Sequence, residues 1–146
     1  MIINMENETI YSAKFEMPYI SCVNFKEKES IILSNIIKGS RLGELVNFDG
    51  YANISFDEED KNHWHPQIKP IESFTRNKSN SLVFGIKGNN KYNKIFVYQT
   101  SLKETRFYGF IFYNTETNKC LHIYNVEYDH TKLIIGMFRI IQNNVI

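Results

Sequence analysis

Residues 81–128 constrain the fold most strongly. Four apolar, aromatic-rich runs follow one another there: 81–87 (SLVFGIK), 94–100 (KIFVYQT), 106–113 (RFYGFIFY) and 119–128 (KCLHIYNVEY). β-Branched and aromatic side chains pack well on a pleated surface, so runs of this length between Gly- and Asn-rich breaks predict strands. The first two flank 88–93 and predict a hairpin with a loop longer than two residues. The last two flank the polar stretch 114–118, which suits a loop built around a type I turn. Asn118 can take the left-handed conformation there that Gly usually takes.

The first half is read around that sheet. Residues 9–15 alternate and predict a half-buried strand; Pro18 interrupts, and 19–25 predicts a second. Residues 31–38 predict a short helix, with Ile32, Leu33, Ile36 and Ile37 as its apolar stripe. Ser30 suits its N-cap, Lys38 its last turn and Gly39 its C′ position. So short a helix needs an apolar surface to lie on. The Ile-rich composition leaves a strand as the alternative for 31–37, and 40–46 adds at most another turn. Phe48-Asp49-Gly50-Tyr51 reads as a turn, with a strand from 51 to 56. A charged loop follows at 57–62. Pro66 and Pro70 make 64–71 irregular or an edge segment. Residues 132–142 close the chain as a strand, or as a helix broken by Gly136. With no repeat, linker or low-complexity stretch, one domain is expected across 1–146. The expected fold class is α+β: an aromatic antiparallel sheet, largely of hairpins from the second half, with one or two short helices packed on it.

Composition narrows the function classes. The chain holds 17 Lys and Arg against 16 Asp and Glu, a net charge of +1. Phosphate neutralisation supplies most nucleic-acid affinity, so this balance argues against a nucleic-acid partner. Gly85-Ile86-Lys87-Gly88 has the form of a backbone-clamping GxxG loop, but it ends a predicted strand instead of joining two helices. Cys22 and Cys120 have no metal-type spacing, and two free thiols in a reducing compartment are expected. The N-terminus lacks a signal-peptide pattern, and no apolar run reaches the roughly 18 residues that would span a bilayer. A soluble, cytoplasmic protein without membrane association is expected. No phosphate loop, dinucleotide fingerprint or nucleophile elbow is present, and no cofactor is expected.

Three groups of residues carry candidate chemistry. In an extended segment His63 and His65 share a face and could ligate one metal ion, with Asp57, Glu58, Glu59 or Asp60 supplying oxygen. Cys120 and His122 lie two apart on one predicted strand, the spacing a thiolate–imidazole pair would need. The acidic run Asp57, Glu58, Glu59 and Asp60 could meet a basic partner surface, with Trp64 and Tyr51 as aromatic anchors. In broad architecture the chain is similar to the small inhibitor and immunity proteins that bacteria and their phages make. That likeness implies a non-enzymatic protein-binding domain that blocks or sequesters a partner through the acidic loop and aromatic anchors. The alternatives are a small metal-dependent hydrolase or nuclease using His63 and His65, and a small-ligand pocket between sheet and helix.

Overall fold

The computed structural model describes residues 2–3, 8–11, 22–56, 66–71 and 79–146. In chain order the elements are β1 (Ile2–Ile3), β2 (Glu8–Tyr11), β3 (Cys22–Val23), α1 (Glu27–Lys38), a 3₁₀ turn (Arg41–Glu44), β4 (Val46–Phe56) and β5 (Pro66–Ile71). They continue with β6 (Ser81–Ile86), β7 (Lys94–Leu102), β8 (Thr105–Tyr113), β9 (Cys120–Glu127) and α2 (His130–Asn143). One sheet runs in the order β1-β2-β9-β8-β7-β6-β4-β5, and β3 pairs with β7 alongside the start of β6. Neighbours are antiparallel except β2 and β9, which run parallel. The fold is α+β, with the hairpins of the second half at its centre. Of the two strands expected in 9–15 and 19–25, residues 9–11 fall in β2 and 22–23 in β3; Asn24 and Phe25 follow β3 outside any strand, and 12–21 lie outside the described residues.

Cross-strand register sorts the aromatic runs into rows. One face carries Leu82–Val97–Phe110–Ile123 and Phe84–Ile95–Phe112–Leu121. Against these rows pack Leu33 and Ile37 of α1, Leu42 of the 3₁₀ turn, and Leu133, Met137 and Ile141 of α2. The opposite face carries Val83–Phe96–Ile111–His122 and is buried as well. A sheet buried on both faces needs near-continuous apolar strands in place of strict alternation, which is why these runs read as unbroken.

α1 begins a turn earlier than the pattern predicts. Lys26 N–H donates to Glu29 Oε1 at 2.9 Å, so Glu29 closes the N-terminus. Ser30 is therefore inside the helix, buried, with its Oγ donating to Glu27 O at 2.7 Å. The buried stripe is Ser30, Leu33 and Ile37, while Ile32 is 45% exposed. Gly39 follows the helix in a right-handed conformation, its N–H donating to Asn35 O. At 130–143 the chain is one unbroken helix. Gly136 sits inside it beside the Phe110 ring, which a β-carbon would meet at ordinary contact distance, so packing of α2 on the sheet and not a need for glycine carries the helix through.

The Asp49-Gly50 signal is a bulge and not a turn. β4 runs straight through it, and pairing with β6 steps from Phe48↔Phe84 to Tyr51↔Leu82 with one extra residue on β4. Gly50 takes φ 105, a value open to glycine, so the left-handed signal was real but spent without reversing the chain. Asn118 has φ 59, and Asn114 Oδ1 accepts the N–H groups of Glu116 and Thr117. Between β7 and β8 the chain reverses over two residues, Lys103 at φ 48 and Glu104 at φ 67. Two left-handed central residues mark a type I′ turn, ordinarily Asn-Gly. Lys-Glu gives no sequence signal for it. The β6–β7 loop closes the C-terminal end of α2: Asn90 Nδ2 donates to Ile141 O and Lys91 N–H to Asn144 O.

β5 ends the sheet path. Pro66 and Pro70 lack N–H groups, so an incoming strand finds fewer donors there.

Two changes test this account. A Cβ at Gly109 would overlap the ring of Tyr98, its fully buried cross-strand partner. Gly109→Ala should lose about 2–3 kcal/mol of stability in urea titrations. The pair Lys103→Asn and Glu104→Gly should gain about 1 kcal/mol, because Asn tolerates the left-handed region and Gly removes a β-carbon from it.

Candidate functional site

An open trough of about 610 Å³ lies on the sheet face away from the helices. That volume falls within the range of ordinary ligand and peptide pockets. Its floor is Ala52, Val83 and Phe96; Ile68, Pro70 and Ile71 of the edge strand form one wall; Tyr113 and Thr115 close the far end. Lys94 and Asp49, joined by an ion pair, stand at the rim. Tyr113 packs edge-to-face on Phe96, with ring centroids 6.1 Å apart, and donates from Oη to Asn118 Oδ1 at 2.9 Å.

Hydrogen bonds fix both ends of the trough. Asn93 Nδ2 donates to Thr115 Oγ1 at 2.8 Å, and Thr115 N–H returns a bond to Asn93 Oδ1 at 3.1 Å. At the other end the Asn80 side chain accepts from Ile54 N–H at 2.7 Å and donates to Ile54 O at 2.8 Å. Ser81 Oγ donates to Ala52 O at 2.7 Å. The lining residues therefore belong to a pre-organised surface, which lowers the ordering cost of binding.

Beyond the trough on the same face lies a buried polar layer. Tyr98 hydroxyl and His122 Nε2 are hydrogen-bonded, and the His122 ring stands 5.1 Å from that of Tyr124. Burial lowers His122 to a pKa of about 3, so the imidazole is neutral at neutral pH. Burial, with Cys22 nearby as the smaller cause, raises Tyr98 well above its ordinary value. Cys120 and Cys22 are free thiols, each pushed up to about 12 by burial. Cys120 and His122 do share a buried face, as their spacing implies. A thiol held protonated beside an imidazole already bonded to a phenol is a packing group and not an activated nucleophile.

Of the residues singled out in the sequence, Asp57, Glu58, Glu59, Asp60, His63, Trp64 and His65 lie outside the described residues. Tyr51 is described. It lines one end of the trough, and it packs edge-to-face on Phe48 at 5.3 Å as part of the helix-side cluster. The bulge is the reason: it puts Phe48 and Tyr51, three residues apart, on the same side of β4. Among the described residues no group of three His, Cys, Asp or Glu side chains is placed to hold a metal ion. Phe96, Tyr113 and Thr115 drew no attention in the sequence, and Lys94 and Asp49 drew it for other reasons. The five come from β4, β7, β8 and the β8–β9 loop, and only the register assembles them.

His122 sets a pH dependence with a definite sign. The unfolded chain takes up the imidazole proton near 6.5, while the folded chain resists until about 3. The unfolded state therefore binds more protons across that window, so stability falls as pH falls through it and is unaffected above it. The loss should reach on the order of 2 kcal/mol by about pH 5. Urea melts of the native chain and of His122→Gln at neutral and acid pH check this, since the variant should lack that part of the slope. Comparison of the chain with protein-family models, with curated proteins and with solved structures finds no match, so what it does has to be read from these surfaces.

Proposed function

We propose that the chain is a non-enzymatic protein-binding domain whose trough receives an apolar or aromatic segment of a partner. The observation that carries this reading is the trough itself: a pre-organised, largely apolar surface floored by Phe96 and closed by Tyr113, with one cation and one carboxylate at its rim. Interfaces concentrate their energy in such ring-lined, water-excluding depressions, with charged residues at the margin. The chemistry of the neighbouring layer favours binding over catalysis. Its thiols stay protonated and His122 stays neutral.

The inhibitor or immunity type of binding is the finer form of the proposal. Residues 57–65 join β4 to β5 in sequence, and both strands line the trough. They carry Asp57, Glu58, Glu59, Asp60 and Trp64. An acidic run in the connection between two trough-lining strands would suit a partner that is basic around an apolar anchor, because complementary charge speeds encounter and selects the partner.

The test is affinity capture with the native chain and with Thr115→Arg, whose side chain would fill the mouth of the trough from an exposed position. Thr115→Arg should stay folded, melting only slightly lower for the lost exposed Asn93–Thr115 side-chain bond, and should lose a stoichiometric partner held by the native chain. Tyr113→Ala should weaken the isolated complex by roughly 30-fold, the ~2 kcal/mol of a hot-spot ring. A partner captured equally by the native chain and Thr115→Arg would rule out the trough as the binding surface. Trp64→Ala, made in parallel, tests the anchor role of the 57–65 segment.

A further inference from the structure

A second concavity lies on the opposite side of the sheet, between α1 and β4. It is about 410 Å³ in volume, again within the ligand-pocket range. Its lining has two parts. One is apolar and aromatic, with Phe84 and Phe48 most prominent. The other is polar: Asn35 and Lys38 from α1, Asn47 from β4, and Lys87 just past β6.

Three features set this cleft apart from an accidental groove. Its only charged lining residues are two lysines, with no carboxylate among them. Among the described residues neither Lys38 nor Lys87 makes an ion pair, whereas Lys94, on the other side of the sheet, is paired with Asp49. Two cations at one concavity repel each other until an anion joins them. Phe48 is 45% exposed, yet it is held edge-to-face between Tyr51 at 5.3 Å and Phe84 at 5.6 Å. A ring locked on two sides and open on the third is a stacking platform that needs little further ordering. The side-chain amide of Asn35 adds a donor and an acceptor at the edge of the space.

The nearby C-terminus of α1 might be expected to repel an anion through its carbonyls. Two of those carbonyls are occupied. Gly39 N–H donates to Asn35 O, and both the N–H and the Oγ of Ser40 donate to Ile37 O. Lys38 adds its charge in the same turn.

We propose that this cleft binds a small aromatic anion of the class of a nucleoside monophosphate. The ring stacks on Phe48, the ring edge meets the Asn35 amide, and the phosphate bridges Lys38 and Lys87. The +1 net charge, which argues against a polynucleotide, is no obstacle to one phosphate group held by two local lysines. The proposal is independent of the trough.

The experiment is titration of the ¹⁵N-labelled full chain with AMP and with UMP, followed by NMR. Either probe should shift the amide signals of Asn47, Phe48 and Lys87 at millimolar concentration or below, and less at high salt. The double variant Lys38→Gln/Lys87→Gln should bind at least about tenfold more weakly, as loss of charge-assisted contacts requires. Phe48→Ala should do likewise, and adenosine without its phosphate should bind more weakly than AMP. Lys38 and Lys87 are exposed, so the double lysine variant should melt as the native chain does, while Phe48→Ala loses two ring contacts and should melt lower but stay folded. Absence of shifts at these amides with both probes at millimolar concentration overturns the proposal. So does a folded double lysine variant that binds the probes as tightly as the native chain.

Discussion

The ring of Tyr98 lies across Gly109 on the neighbouring strand and is hydrogen-bonded to His122 one strand further on. That contact spans β7, β8 and β9, and the placement of everything else follows from it. Slipping any of the three strands by one residue would send its side chains to the opposite face. The phenol and the imidazole would then meet the apolar rows under the helices, where neither finds a partner, and a buried polar group without one is costly. The β8–β9 pairing accommodates the ring with a bulge. It steps from Tyr108↔Val126 to Phe110↔Ile123, so that Tyr124 and Asn125 face Gly109, and Asn125 takes φ 60. The polar layer thus specifies register more than it adds stability, a use for buried polar groups that apolar packing serves poorly.

How far the fold was legible follows from the same contact. The central strands could be read because aromatic and β-branched runs survive burial on both faces. The loop at 114–118 could be read because Asn114 and Asn118 advertise their conformations chemically. Features that depend on a partner far along the chain could not. Gly136 looks like a helix breaker until α2 packs on the sheet beside the Phe110 ring. Asp49-Gly50 looks like a turn because a bulge and a turn need the same positive φ. Lys103 and Glu104 hold left-handed conformations without the usual residues, since the long β7–β8 ladder enforces the reversal. The parallel pairing of β2 with β9 leaves no local trace at all.

The candidate site was less legible than the fold, and for a simpler reason. Spacing within one strand correctly places Cys120 and His122 on a common face, but it says nothing of Tyr98, which stands two strands away. The bonded phenol and the burial decide the chemistry, and both turn the pair away from nucleophilic work. The trough draws on β4, β5, β6, β7, β8 and the β8–β9 loop, so no window of sequence contains it. The acidic run and the His-Trp-His segment stand out in sequence because they are local.

The bulge at Gly50 is where the two faces of the sheet meet. In a regular strand, alternation would give Phe48 and Tyr51 opposite faces. The extra residue brings them together on the helix side, where they form one edge-to-face chain with Phe84. Asp49, between them, pairs with Lys94 at the rim of the trough on the far side. Such an exposed ion pair adds little stability, but it gives the bulged loop a preferred orientation. The ring that lines the cleft and the carboxylate that borders the trough are adjacent residues, and ordinary alternation sends them to opposite faces. What the glycine with φ 105 adds is the return of Tyr51 to the helix side, where it buttresses Phe48; a β-carbon there would strain the left-handed backbone on which that buttress depends.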